Sequence, residues 1–150
     1  MTREIVLDTE TTGLDPFKGD RITEIGCVEV IDCIPTGQSF HSYVNPERDV
    51  PQEVVEITGL TTAFLADKPK FAEIAGDFLN FVGDATLVIH NAAFDMGFIN
   101  AELTRAGHDP LPDDRAIDTV AMARRRFPGR CGQPKARTIN PTAPIPPDGR

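Results

Sequence analysis

Asp8 and Glu10 stand two positions apart in "IVLDTETTG", with only Thr9 between them. Side chains two apart on an extended strand share a face. Both carboxylates therefore converge, and Thr9 points the other way. Two neighbouring carboxylates repel, and one takes up a proton unless a cation sits between them. An all-oxygen donor pair of this kind suits Mg²⁺ or Mn²⁺. Taken alone, the same spacing also describes the solvated end of a strand.

Asp95, in "VIHNAAFD", is the next acid that could do chemistry. With Asn91 as a helix N-cap, Asp95 falls in the first turn, where the helix dipole favours negative charge. That position is enough to explain an acid. However, strands ending at Asp8 and His90, laid side by side in a mixed sheet, bring Asp8, Glu10 and Asp95 to one edge. Open sheets place their ligand sites there. Asp118 reads as the N-cap of the helix that follows it. Glu24, Glu29 and Glu102 read as solvated faces of their elements. His90 reads as a structural residue at a strand end, His41 alternates within a strand, and His108 lies in a loop. None of the three identifies itself as a general base.

The elements that must hold these residues follow from periodicity. "EIVLD", "RITEIGCVEVI" (21–31) and "QSFHSYVN" (38–45) read as strands, with a turn near Pro35–Gly37. Short connections make them an antiparallel meander. "VPQEVVEITGL" (50–60) reads as a short helix closed by Gly59. Phe71, Ile74, Ala75, Phe78, Leu79 and Val82 recur at helical spacing, with Gly83 as the stop. "ATLVIHN" (85–91) is an apolar central strand. Phe94, Phe98, Ile99 and Leu103 line a helix ending near Gly107. "AID" (116–118) is a brief strand, and "TVAMARRRF" begins a last helix. The order β-β-β-α-β-α-β-α gives an α/β fold with helices packed on a mixed sheet.

At 150 residues the chain suits one domain, and its net charge is −8. Such a surface repels phosphates, so action on DNA needs metal ions at the site or a partner that delivers the strand. No apolar run reaches membrane-span length. "MTREIVLD" enters a strand at once, leaving no room for a signal peptide. The cysteines, Cys27, Cys33 and Cys131, form no CxxC pair and are odd in number. That usage fits the reducing cytoplasm, with Cys27 as core filling. Residues 128–150 hold six of the 13 prolines and four basic residues against one acid. This stretch reads as an irregular tail following a domain over residues 1–127.

Together, "DTETTG", "ITGLT", "DKPKFAEIAGDFLNFV", "LVIHNAAFDMGFINAEL" and "DTVAMARRRFPG" resemble the proofreading (epsilon) subunits of bacterial DNA polymerase III. That family lies within the DEDDh superfamily of 3′–5′ exonucleases. The likeness runs in order from Arg3 to Gly129. It implies a ribonuclease H-like exonuclease fold, with a mixed central sheet flanked by helices. It also implies two-metal hydrolysis of the 3′-terminal phosphodiester of DNA during replication. By the same likeness, Asp8 and Glu10 match metal ligands and Asp95 matches the second-motif acid, all three catalytic. Asp8, Glu10, Glu53 and Thr58 match positions that touch the terminal nucleotide. Thr11, Thr12 and Phe94 lie near them. The implied cofactor is Mg²⁺ or Mn²⁺. The implied partners are a single-stranded DNA 3′ end and the alpha and theta subunits of the polymerase, with no membrane.

One motif of the family is not matched. Its third motif, a histidine followed five residues later by an aspartate on the last helix, supplies the base and a fourth metal ligand. No histidine follows His108 here, and no His-x4-Asp occurs downstream. The sequence reads as truncated or frameshifted after Gly129, without the family's last helix and without its alpha-docking segment. The expectation is an impaired exonuclease. The alternatives are an inactive remnant that still binds metal or nucleotide, and a ribonuclease of the same superfamily.

Overall fold

A computed structural model describes residues 1–128 of the chain. All but the first residue of the expected tail lies outside these residues. The centre of the molecule is β1 (Arg3–Thr11), in a five-stranded sheet ordered β3–β2–β1–β4–β5. β2 (Ile22–Ile31) runs antiparallel to β1, and β3 (Ile34–Tyr43) antiparallel to β2. β4 (Thr86–Ile89) runs parallel to β1, and β5 (Ala116–Asp118) parallel to β4.

The meander forms as expected, but its turn is displaced. The chain reverses at Asp32–Cys33 rather than at Pro35–Gly37, and Ile31 faces Ile34 across the loop. Asp32 and Cys33 have φ of 49° and 67°. Positive φ at both central residues matches the twist that a two-residue hairpin needs. Pro35 is accommodated because β3 is an edge strand.

Period-2 alternation places Ile5, Leu7, Thr9 and Thr11 on the buried face of β1, and Val6, Asp8 and Glu10 on the other. α3 (Phe71–Val82) and α4 (Ala92–Arg105) cover the buried face. Phe71, Phe78, Phe98, Ile99 and Leu103 pack there with Ile5, Leu7, Ile25 and Leu87. Each such fully buried side chain contributes about 1.5–3 kcal/mol. Cys27 lies in this core, as expected. α1 (Gln52–Thr58) ends at Gly59, whose φ is 75°. α2 (Thr62–Leu65) is a single turn, too short to show a period, and is capped by the Thr61 hydroxyl. α5 (Thr119–Arg126) starts at Asp118, which accepts from Val120 N at 2.9 Å as its cap. The open face of the sheet leaves Val6 and Val28 38% and 37% exposed.

Two glutamates read as solvated are buried instead. Glu102 is 2% exposed. It accepts from Arg21 Nε at 2.6 Å and Arg21 Nη2 at 2.9 Å. Its partner is 81 residues away in sequence, so helical position alone gives no sign of the pair. Glu24 is 8% exposed and is described below. Glu29 is held by Arg3 at 2.6 Å.

Candidate active site

The site forms where β4 stops and β1 continues. The last β1–β4 pair is Leu7 with Ile89. Beyond it the chain turns at Asn91, whose φ of 63° redirects it into α4. Asn91 occupies the N-cap position without a side-chain cap bond, so its role is conformational rather than the capping read from sequence. Asp95, in the first turn of α4, then fills the space that a longer β4 would occupy. Its Oδ1 accepts from Thr9 N at 3.1 Å and from Thr9 Oγ1 at 2.6 Å. Thr9, the residue between the two convergent acids, thus ties the third acid to them. Sequence reasoning missed it because its partner comes from a distant helix. Thr9→Val keeps the shape and deletes one bond to a carboxyl. It is expected to cost about 1.5–3 kcal/mol, with Thr9→Ser recovering most of it in urea melts.

Asp8, Glu10 and Asp95 lie together in a groove of about 920 Å³. Glu53, Ile57 and Thr58 from α1, Phe94 from α4 and Arg124 from α5 also line it. The residues expected near a nucleotide are therefore brought together. Glu53 is exposed. The Thr58 hydroxyl is engaged locally, donating to Val54 O and accepting from Leu60 N. Phe94 packs on Phe98 with ring centroids 5.0 Å apart while facing the groove. Thr11 Oγ1 donates to Gly13 O, and Thr12 Oγ1 bonds Asp20 at 3.0 Å. These two threonines build the loop that follows β1. A Cβ on Gly13 would meet the Asp20 carboxylate at 2.3 Å, so a larger residue there has to displace Asp20 from its bonds to Thr12 and Asp15 N. His90 is exposed on the groove, with Nδ1 3.0 Å from Thr119 Oγ1.

The acids are strained electrostatically. Burial pushes Glu10 up to about 7, with repulsion from Asp8, Glu24 and Asp95 adding to it. Burial also pushes Asp95 up to about 7, opposed by the Thr9 hydroxyl and reinforced by Asp8. Asp8 is raised mainly by burial. Asp118 falls below its usual value because backbone N–H bonds from Val120, Ala121 and Asn91 outweigh its desolvation.

Glu10 and Asp95 bind protons more tightly folded than unfolded. Their contribution to stability is full below about pH 4 and is lost as pH rises through about 7. The metal-free chain is therefore expected to melt several degrees lower at pH 8 than at pH 5, and Mn²⁺ to reverse the loss at pH 8. Scanning calorimetry at both values checks this, and a flat metal-free profile contradicts it.

Among the described residues no group of three or more His, Cys, Asp or Glu side chains is arranged to hold a metal ion by itself. The Asp8–Glu10 pair nevertheless fits one kind of ion. Mg²⁺, and Mn²⁺ with similar preferences, is typically held by one or two carboxylates, keeping waters and taking phosphate oxygens from the substrate. Two oxygen donors whose charges repel match that demand, and Asp95 stands beside them.

A family model described as Exonuclease matches residues 5–150. The chain belongs to the exonuclease family. The DNA polymerase III subunit epsilon of Rickettsia prowazekii is 54% identical over 130 residues, covering 85% of this chain and 57% of the relative. The subunit of the same name from Escherichia coli is 44% identical over 138 residues, covering 87% of this chain and 56% of the relative. The exonuclease chain thus spans little more than half the length of these relatives. Escherichia coli exonuclease I, solved with a dA16 oligonucleotide, matches with a TM-score of 0.75 at 20% identity, over 85% of this chain and 30% of that chain. It has also been solved with single-stranded DNA in a zinc-bound form. At such identity the likeness shows the fold, which is the ribonuclease H-like exonuclease architecture expected from the sequence.

Proposed function

We propose that the chain is the exonuclease part of a DNA polymerase III proofreading subunit, removing nucleotides from a single-stranded 3′ end by metal-dependent hydrolysis. The observation that carries this reading is the meeting of Asp8, Glu10 and Asp95 in one groove, where burial raises the proton affinity of all three and no cationic side chain among the described residues hydrogen-bonds to them. Asp8 and Glu10 would hold Mg²⁺ or Mn²⁺, with Asp95 anchored by Thr9 beside them. When bound, the ions supply positive charge at the scissile phosphate. The chain's own residues do the rest. Leu14 and Ile57, 84% and 75% exposed on the groove, offer apolar surface to the terminal bases. Arg124 offers a cation to the backbone. With a net charge of −8, the chain depends on the polymerase to deliver the strand, with alpha and theta as its partners in the cytoplasm. No described helix is long and apolar enough to cross a membrane.

No histidine follows His108 in these 150 residues, so hydrolysis by these residues alone would proceed without the base that the resemblance implies. Loss of a general base typically costs 10²–10⁴-fold, and slow turnover is the expectation. A 3′-labelled single-stranded DNA with Mn²⁺ tests the reading. Mononucleotide release that stops in Asp8→Asn supports it. Faster hydrolysis of a matched short RNA would move the chain to a ribonuclease role. Mn²⁺ uptake with no cleavage at all marks the inactive remnant, which the missing third motif favours.

A further inference from the structure

We propose that Glu24, held by His41, is a positioning residue of the cation pocket, a role that rests on the metal reading above and deepens it. Glu24 keeps the Glu10 carboxylate turned toward Asp8 and strengthens ion binding there. The register of β1 on β2 places Glu24 directly across from Glu10, and Gly26 across from Asp8. Side chains directly opposite in an antiparallel pair have Cβ atoms about 4.5–5.5 Å apart. Gly26 has no side chain, and the position its Cβ would take has nothing within 4 Å. Nothing from Gly26 therefore screens Asp8 from Glu24.

His41, on β3 opposite Gly26, reaches across this gap. Its Nε2 lies 2.7 Å from Glu24 Oε1. An ionised carboxylate only accepts, so Nε2 carries the hydrogen. Tyr43 packs edge-on against the His41 ring at 4.9 Å, and Phe64 edge-on against Tyr43 at 5.0 Å. This aromatic row keeps the imidazole from swinging away. Glu24 is consequently fixed, at 8% exposure, beside Glu10 on the same face of the sheet. Asp8, Glu10, Glu24 and His41 line one small cavity on this face of the sheet. Like charges set opposite one another destabilise a sheet, and a divalent ion between them relieves the repulsion. Groups that orient metal ligands from behind are typically worth 10–100-fold in ion affinity.

The test is Mn²⁺ titration calorimetry, with thermal melts in the presence and absence of Mn²⁺, on the 150-residue chain. Glu24→Gln keeps the shape and the bond to His41 but removes the charge. Its Kd for Mn²⁺ is expected to rise about tenfold, and the melting increment from Mn²⁺ to shrink, while the metal-free Tm holds or rises. His41→Ala should weaken binding in the same direction, and His41→Gln, which keeps a donor, should restore it. Should Glu24→Gln fail to fold, the two His41 variants decide alone. Asp8→Ala should lose uptake altogether. If it does, and Glu24→Gln binds Mn²⁺ like the parent, the role of Glu24 is overturned and the metal centre stands. A lower metal-free Tm with unchanged Kd also overturns it, because it marks Glu24 as structural only. If the parent takes up no Mn²⁺, the metal reading itself falls.

Discussion

On the proposed function, Asp8→Asn is expected to remove metal-dependent DNA hydrolysis and calorimetric Mn²⁺ uptake together. Asparagine keeps the volume and one carbonyl oxygen but gives up the charge that makes the pocket attract a cation. Removing one preorganised electrostatic group from such a site typically costs about 10²–10³-fold in rate. The parent chain already lacks a histidine after His108, so the variant should fall to background. Stability should move in the opposite direction. Asp8 is among the groups that raise Glu10 and Asp95, and its neutralisation removes that repulsion. The metal-free Asp8→Asn chain should therefore melt at or above the parent, a trade of stability for function often seen at active sites. Parallel losses of folding and activity would show instead that Asp8 holds the sheet rather than an ion.

Glu102→Ala is expected to be the most damaging single change to the fold. It strips Arg21 of a bidentate carboxylate partner at 2.6 and 2.9 Å in a place where the arginine side chain is only 15% exposed. Breaking a buried pair by removing one partner typically costs 3–5 kcal/mol. Glu47, 3.7 Å from Arg21, remains as a weak substitute, so about 3 kcal/mol is the expectation here. Removing both charges together, as Arg21→Met with Glu102→Leu, should cost much less, because no charge is stranded. Urea melts of the single and double variants measure the difference. Equal losses in both would mean that the pair matters through packing alone. The location explains its importance: Arg21 immediately precedes β2, at the end of the loop that follows β1, and Glu102 sits late in α4. The pair thus ties the helix that carries Asp95 to the strand hairpin that carries Asp8 and Glu10.

Features that depend on local pattern were legible in the sequence. Alternation in β1 set Asp8 and Glu10 on one face, and apolar spacing located α3 and α4. Glycines 59, 83 and 107 marked helix ends, and Asp118 announced itself as a cap. The side-by-side placement of β1 and β4, inferred from their apolar character, correctly gathered Asp95 to the other two acids. What escaped was whatever needed a partner from elsewhere. Glu102 looked solvated because Arg21 lies 81 positions away. Glu24 and His41 met only through the register of three strands, and Thr9 acquired its role only because β4 ends early. The hairpin turn was misplaced for a different reason. Asp32–Cys33 lacks the glycine that usually signals positive φ, whereas Pro35 and Gly37 imitate a turn inside a strand.

That same Pro35 bears on how copies of the chain behave toward one another. β3 is the outer rail of the sheet and its first residues are exposed, the situation in which a neighbouring chain can zip on through backbone bonds. A proline has no N–H to offer, and Gly37, at φ 88°, bends the rail out of the flat geometry that zipping needs. At the far margin, β5 is only three residues long. Among the described residues, both margins are thus poor templates for the addition of a neighbouring chain.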